Sequence, residues 1–185
     1  MFFCILFNMR KNIVLTGLMG SGKTTIGKIL AKKLKYKFID IDQLIEKETR
    51  MKIKTIFKKF GEDYFRGLEA KTCKNVSRLN GYVISTGGGI VLNPQNIKNL
   101  RKNGIIINLR ARPNILWERV KHKKNRPLLN VKNPQKRLLQ IWRARKPFYD
   151  KADIIIVNTN LTVKQTVDKI INILNKKYNV NVGEN

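Results

Sequence analysis

The stretch Gly17-Leu18-Met19-Gly20-Ser21-Gly22-Lys23-Thr24 fits the pattern G-x-x-x-x-G-K-[ST] at every constrained position. A loop of this kind works only between a strand and a helix, and both flanks comply. Ile13-Val14-Leu15 is an apolar run that reads as a buried strand, and Ile26, Ile29, Leu30 and Leu34 recur at helical spacing over residues 25–34. Gly17, Gly20 and Gly22 can take positive φ with no Cβ in the way, so successive backbone N–H groups can converge on a phosphate at a helix N-terminus. Lys23 then brings a point charge to the β/γ oxygens, and the Thr24 hydroxyl is placed to ligate Mg²⁺. The competing reading is an ordinary glycine-rich turn, and the flanking elements argue against it.

Down the chain, strand and helix patterns alternate. Residues 36–40 read as a second strand, and residues 42–49 as a helix capped by an Asp, which leaves Asp40 and Asp42 at a strand's carboxyl end. Residues 53–60 and 62–79 are helical by spacing, broken at Gly61, and are expected to ride above the sheet as a helical insertion. A strand over 82–85 runs into Gly87-Gly88-Gly89, a sign that backbone closely approaches something. Asn93-Pro94 opens a helix that ends at Gly104, residues 105–109 form a continuously apolar strand of the parallel kind, and Arg112-Pro113 opens the next helix. Periodicity vanishes over 121–132, a basic stretch expected to be a mobile loop that includes the lone histidine, His122, facing solvent. Helix resumes at Asn133-Pro134, residues 153–157 are the last strand and 162–177 the last helix. The expected fold is α/β: a central parallel sheet flanked by helices on both faces, with ligands at the carboxyl ends of its strands.

A chain of 185 residues suits one such domain, taken as residues 9–178. Residues 1–8 are apolar but lack the leading positive charge of a signal peptide, so they read either as a dispensable extension or as an added edge strand or flap. The tail over 179–185 is expected to fray. No apolar run approaches the length of a membrane span. Cys4 and Cys73 have no CxxC spacing and read as free thiols in a reducing cytoplasm. The net charge of +27, from 39 Lys and Arg against 12 Asp and Glu, is the one extreme number. Because the basic residues are scattered among many Asn and Ile, the charge reads as a compositional bias on exposed positions rather than a specific nucleic-acid surface.

One small domain with a phosphate loop and a basic loop is the plan of a small-molecule kinase. Such an enzyme must neutralise the migrating phosphoryl, hold a hydroxyl in line and exclude water. The residues also carry a resemblance. Gly17 to Thr25, Asp40 with Asp42, Ile45-Glu46, Gly61-Glu62, Phe65-Arg66-Gly67-Leu68-Glu69, Gly87-Gly88-Gly89, Arg126-Pro127-Leu128-Leu129, and Arg145 with Tyr149 resemble shikimate kinases in order and spacing.

That resemblance implies ATP and shikimate as substrates and Mg²⁺ as cofactor. The chain is expected to act as a monomer with no specific nucleic-acid or membrane partner. The resemblance implies catalytic roles for Asp42, as base towards the 3-hydroxyl, for Lys23, and for Arg126 as lid arginine. ATP would be held by Gly20, Ser21, Gly22, Lys23, Thr24, Thr25, Arg119 and Arg126. Shikimate would be held by Asp42, by Arg66 and Arg145 on its carboxylate, by Gly88, and by Phe57 and Phe65 as an apolar wall. Mg²⁺ would be held by Thr24 and, through water, by Asp40. From spacing alone Asp42 could be a mere helix cap, Arg66 with Glu69 a helical surface pair, and the two Phe ordinary core. The competing functions are a gluconate-type or nucleotide kinase, and a basic nucleic-acid-binding protein with a vestigial nucleotide site. After the last strand, residues 158–162 lack the Arg- and Pro-containing segment of some family members, which puts the adenine contacts there in doubt.

Overall fold

A computed structural model describes residues 10–122 and 126–180, and residues 1–9, 123–125 and 181–185 lie outside it. Five parallel strands make one sheet: β1 (Asn12–Thr16), β2 (Lys37–Asp40), β3 (Tyr82–Ser85), β4 (Gly104–Arg110) and β5 (Ile154–Val157), in the order β2-β3-β1-β4-β5. Successive strands are laid first to one side of β1 and then to the other, so the chain reverses its winding at β1, where an open α/β sheet leaves a crevice for ligands.

The strands alternate between two cores. Ile13 and Leu15 of β1, Val83 of β3 and Ile105 and Ile107 of β4 face one helical layer; Val14, Ile84 and Ile106 face the other. The first layer is α1 (Lys23–Leu34) with α7 (Val163–Tyr178). The second contains α2 (Ile41–Thr49), α3 (Ile53–Val76), α4 (Pro94–Lys102), α5 (Pro113–Val120) and α6 (Pro134–Tyr149). Both faces are covered, which is why β4 can carry the apolar run Ile105-Ile106-Ile107 and is buried as far as Leu109; the edge strand β5 leaves Ile155 and Val157 exposed. None of the described helices is long and apolar enough to cross a membrane.

Three local results differ from the sequence reading. Helix α1 starts at Lys23 rather than residue 25, after Gly22 at φ 95° and ψ 8°, so Lys23 and Thr24 lie in its first turn. Helix α2 starts at Ile41 and is capped by Asp40, whose Oδ1 accepts from the N–H groups of Asp42 and Gln43. Asp42 is therefore not the cap. Finally, α3 does break at Gly61, at φ 82° and ψ 177°, but its later half is no mere rider: Phe65, Cys73 and Val76 are buried in the same core as Val14 and Ile84.

Candidate active site

The strand ends open into a cleft of about 1200 Å³. At its floor Gly17, Gly20 and Gly22 all have positive φ, the conformation the pattern requires, and turn the loop into the start of α1. Lys23 curls back so that Nζ donates to the carbonyl oxygens of Gly17 at 2.7 Å and Leu18 at 3.1 Å. Burial lowers its pKa to about 8, with Asp42 opposing the shift and Arg126 adding to it. Ser21 is buried, and Asn158, at the end of β5, donates from its side chain to the Ser21 carbonyl at 2.9 Å, which ties the loop to the far side of the sheet.

Beside the loop, Thr24 Oγ1 donates to Asp40 Oδ2 at 2.8 Å and Ser85 Oγ donates to the same oxygen at 3.0 Å. With two backbone N–H groups on Oδ1, the Asp40 carboxylate is fully engaged. A hydroxyl beside a saturated carboxylate could hold a magnesium ion that keeps most of its waters, Thr24 directly and Asp40 through water.

Asp42, two positions on, is differently placed. Its Oδ1 is buried without a hydrogen-bond partner. Burial, reinforced by the charges of Asp40 and Glu69, pushes its pKa up to about 6, against the pull of Lys23 and Arg126. Glu69 is equally out of water, with Oε1 unpartnered and Oε2 accepting from Arg66 at 2.7 Å; burial raises its pKa too, opposed by Arg66. Both free oxygens converge on Gly87, where a Cβ would stand 2.6 Å from Glu69 Oε1 and 2.8 Å from Asp42 Oδ1. The glycine turn is thus the price of packing two carboxylates against one backbone.

The two arginines arrive from opposite elements. Arg66 of α3 is forked between Glu62, from Nε and Nη2, and Glu69, from Nη1, and lies against Gly89. It is a pair with Glu69, as its spacing allowed, but a largely buried one at the cleft. Arg145 of α6, 7% exposed, donates to the Gly88 carbonyl at 3.0 Å, and the Tyr149 hydroxyl donates to the same oxygen. Phe57 and Phe65 pack with ring centroids 4.9 Å apart and line the cleft next to Arg66. At the opposite end Arg119 donates to the carbonyls of Gly20, at 3.3 Å, and Asn158, at 3.5 Å, near Leu161 and Val163. Thr25 and Arg126 also line the cleft, and Arg126 Nε is buried and unpartnered. His122 is exposed.

The family model for shikimate kinase matches residues 19–175. The chain belongs to the shikimate kinase family. A shikimate kinase of Thermodesulfovibrio yellowstonii is 48% identical over 161 residues, covering 87% of this chain and 93% of that one. One of Caldanaerobacter subterraneus subsp. tengcongensis is 49% identical over 161 residues, with 87% and 94% covered. Among solved structures, the shikimate kinase from Acinetobacter baumannii in complex with shikimate superposes with a TM-score of 0.88 at 35% identity, over 91% of this chain and 96% of that one.

In this member of the family every site residue named from the sequence lies in, or directly against, one cleft. Three others went without a role. Glu69 carried a signal, since it falls on the apolar stripe of α3 with Phe65, Thr72, Cys73 and Val76, where a carboxylate has no business unless it is paired. Tyr149, one turn after Arg145 on the same face, was within reach of the same reasoning. Asn158 had no local signal, because its partner Ser21 is 137 residues away.

Proposed function

We propose that this chain transfers the γ-phosphoryl group of ATP to the 3-hydroxyl of shikimate, giving shikimate 3-phosphate for aromatic amino-acid synthesis. One observation carries the reading: Asp42 Oδ1 is buried, unpartnered and raised in proton affinity, between the Lys23 loop and the Arg66/Arg145 pair. An acceptor held by its carboxylate on the two guanidinium groups, with its ring against Phe57 and Phe65, presents a hydroxyl to that oxygen.

The loop from Gly20 to Thr25 holds the triphosphate through backbone N–H groups, and Lys23 counters charge on the β/γ oxygens as the phosphoryl migrates. Mg²⁺, bound by Thr24 and water-linked to Asp40, would neutralise the phosphates. Arg126 adds a second positive group over the transferring phosphoryl, and Arg119 with Leu161 and Val163 forms the adenine end in place of an Arg- and Pro-containing segment. Asp42 takes the hydroxyl proton as the O–P bond forms, and the carboxylic acid so produced is tolerable at a site that already disfavours the anion. All these groups come from one chain, so we take the working unit to be a monomer, acting in the cytoplasm where ATP is supplied.

The test is ADP release by a coupled assay with shikimate, gluconate and AMP compared in parallel at equal ATP and magnesium. Release that depends on shikimate alone is expected; dependence on gluconate or AMP would overturn the acceptor.

A further inference from the structure

The first segment of α3, from Ile53 to the Gly61 break, carries Phe57 into the cleft on few anchors. Its own sequence leaves its N-terminus uncapped: Lys52 at the cap position offers no side-chain acceptor, and no acidic residue occupies the first turn. The missing acceptor comes from the preceding helix. Glu46 of α2 accepts from the Ile53 N–H through Oε1 at 3.0 Å and from Lys52 Nζ through Oε2 at 3.0 Å. The corner between the helices is otherwise tight. Arg50 ends α2 in the left-handed region at φ 54°, and the Thr49 hydroxyl donates to the Ile45 carbonyl while accepting from Met51 N–H.

At its other end the segment stops at Gly61, whose φ of 82° and ψ of 177° are open essentially to glycine alone, and a Cβ there would meet nothing within 4 Å. That end is held by backbone preference and not by packing. In between only Ile56 is fully buried, while Lys54, Lys58, Lys59 and Phe60 face water. The segment is a two-turn piece pinned at one end by a carboxylate and bounded at the other by a glycine.

We propose that Glu46 is a positioning residue for the acceptor: by capping Ile53 it fixes the 53–60 segment, and so sets where Phe57 stands against the substrate ring. The assignment rests on the reading of the acceptor site given above. The effective contact is the part-buried one, the carboxylate on a backbone N–H; the Lys52 ion pair, with Lys52 81% exposed, adds little. Loss of the cap frees the segment and costs acceptor binding, and it leaves the phosphate loop, on another element, untouched.

The test uses steady-state kinetics of the full chain together with amide hydrogen exchange. Glu46→Ala should raise the KM for shikimate about 5- to 20-fold, with kcat and the KM for ATP within about twofold, and should speed exchange over 53–60. Glu46→Gln, whose amide oxygen can still accept from Ile53, should recover most of the loss, and Lys52→Ala should be silent. If Glu46→Ala does not fold, Glu46→Asp, one methylene too short to reach, carries the same expectations. An unchanged shikimate KM, an ATP KM that rises in step, or a Lys52→Ala variant that reproduces the effect would overturn the assignment. Failure of the unmutated chain to use shikimate would instead remove the acceptor reading, while exchange at 53–60 would still report on the cap.

Discussion

At the scale of single residues, the sharpest contrast is between two carboxylates one residue apart. Asp40 has four donors and Asp42 Oδ1 has none, so the first is held in place and the second is left open. Asp42→Asn should cut kcat by about two to four orders of magnitude while leaving ATP binding in place. Because the free-enzyme pKa of Asp42 is raised to about 6 and that of Lys23 lowered to about 8, kcat/KM should fall below the first value, as the base protonates, and above the second, as the loop loses its charge. The same shift has a stability sign. A carboxyl raised from 3.8 favours the folded state at low pH, and that contribution is lost as pH climbs through about 6. Asp42→Asn should therefore melt higher than the parent at pH 8, by about 1–3 kcal/mol of stability, and show no gain below pH 4. An acid limb at the ordinary carboxylate value would remove Asp42 as the base.

The arginines divide in the same way. Lys at position 145 keeps the charge and loses the fork, which should raise the shikimate KM about 10- to 100-fold with little change for ATP. Arg66→Lys should do likewise and also lower the melting temperature, because Glu69 and Glu62 lose a shared partner. Arg126→Lys should act on kcat instead. Equal effects of all three on both KM values would mean that the acceptor end has been misplaced.

Among the elements, the Gly87-Gly88-Gly89 turn is the most exacting. Gly87→Ala drives a methyl into Asp42 and Glu69, and titration with shikimate and with ATP should show the first affinity lost, by about tenfold or more, and the second kept. A variant that binds both normally would show that the two carboxylates can part freely. The turn was legible in sequence because three glycines after a strand have few other uses, and β4 because a run of Ile can only be buried. The cap of α2 was not, since two Asp at alternate positions look alike until the strand's last residue fixes which side chain lies beside the orphan N–H groups. The later half of α3 was misplaced for a similar reason: periodicity reports that a helix has an apolar face and is silent about what that face meets. Arg66 stayed ambiguous because the same spacing serves a solvent ion pair and a buried one, and only the exposure of Glu69, at 1%, separates them.

On the scale of the whole molecule, the charge of +27 should make the protein stick to random duplex DNA at low salt and release it steeply as salt approaches 150 mM, measured by fluorescence anisotropy. Tight, sequence-selective binding at that salt would reopen the nucleic-acid reading. The sheet order also has a consequence in time. β1 lies between β3 and β4, and the loop that follows β1 is anchored through Ser21 to Asn158. The neighbours that hold the loop are thus far along the chain, an arrangement in which contacts form late. Recovery of binding to a fluorescent ATP analogue during refolding should coincide with the last phase seen by Trp117 and Trp142, and never precede it. On the ribosome the phosphate loop emerges early and its anchor emerges more than a hundred residues later, so a half-made chain carries the motif without the side chain that ties it to the sheet's far side.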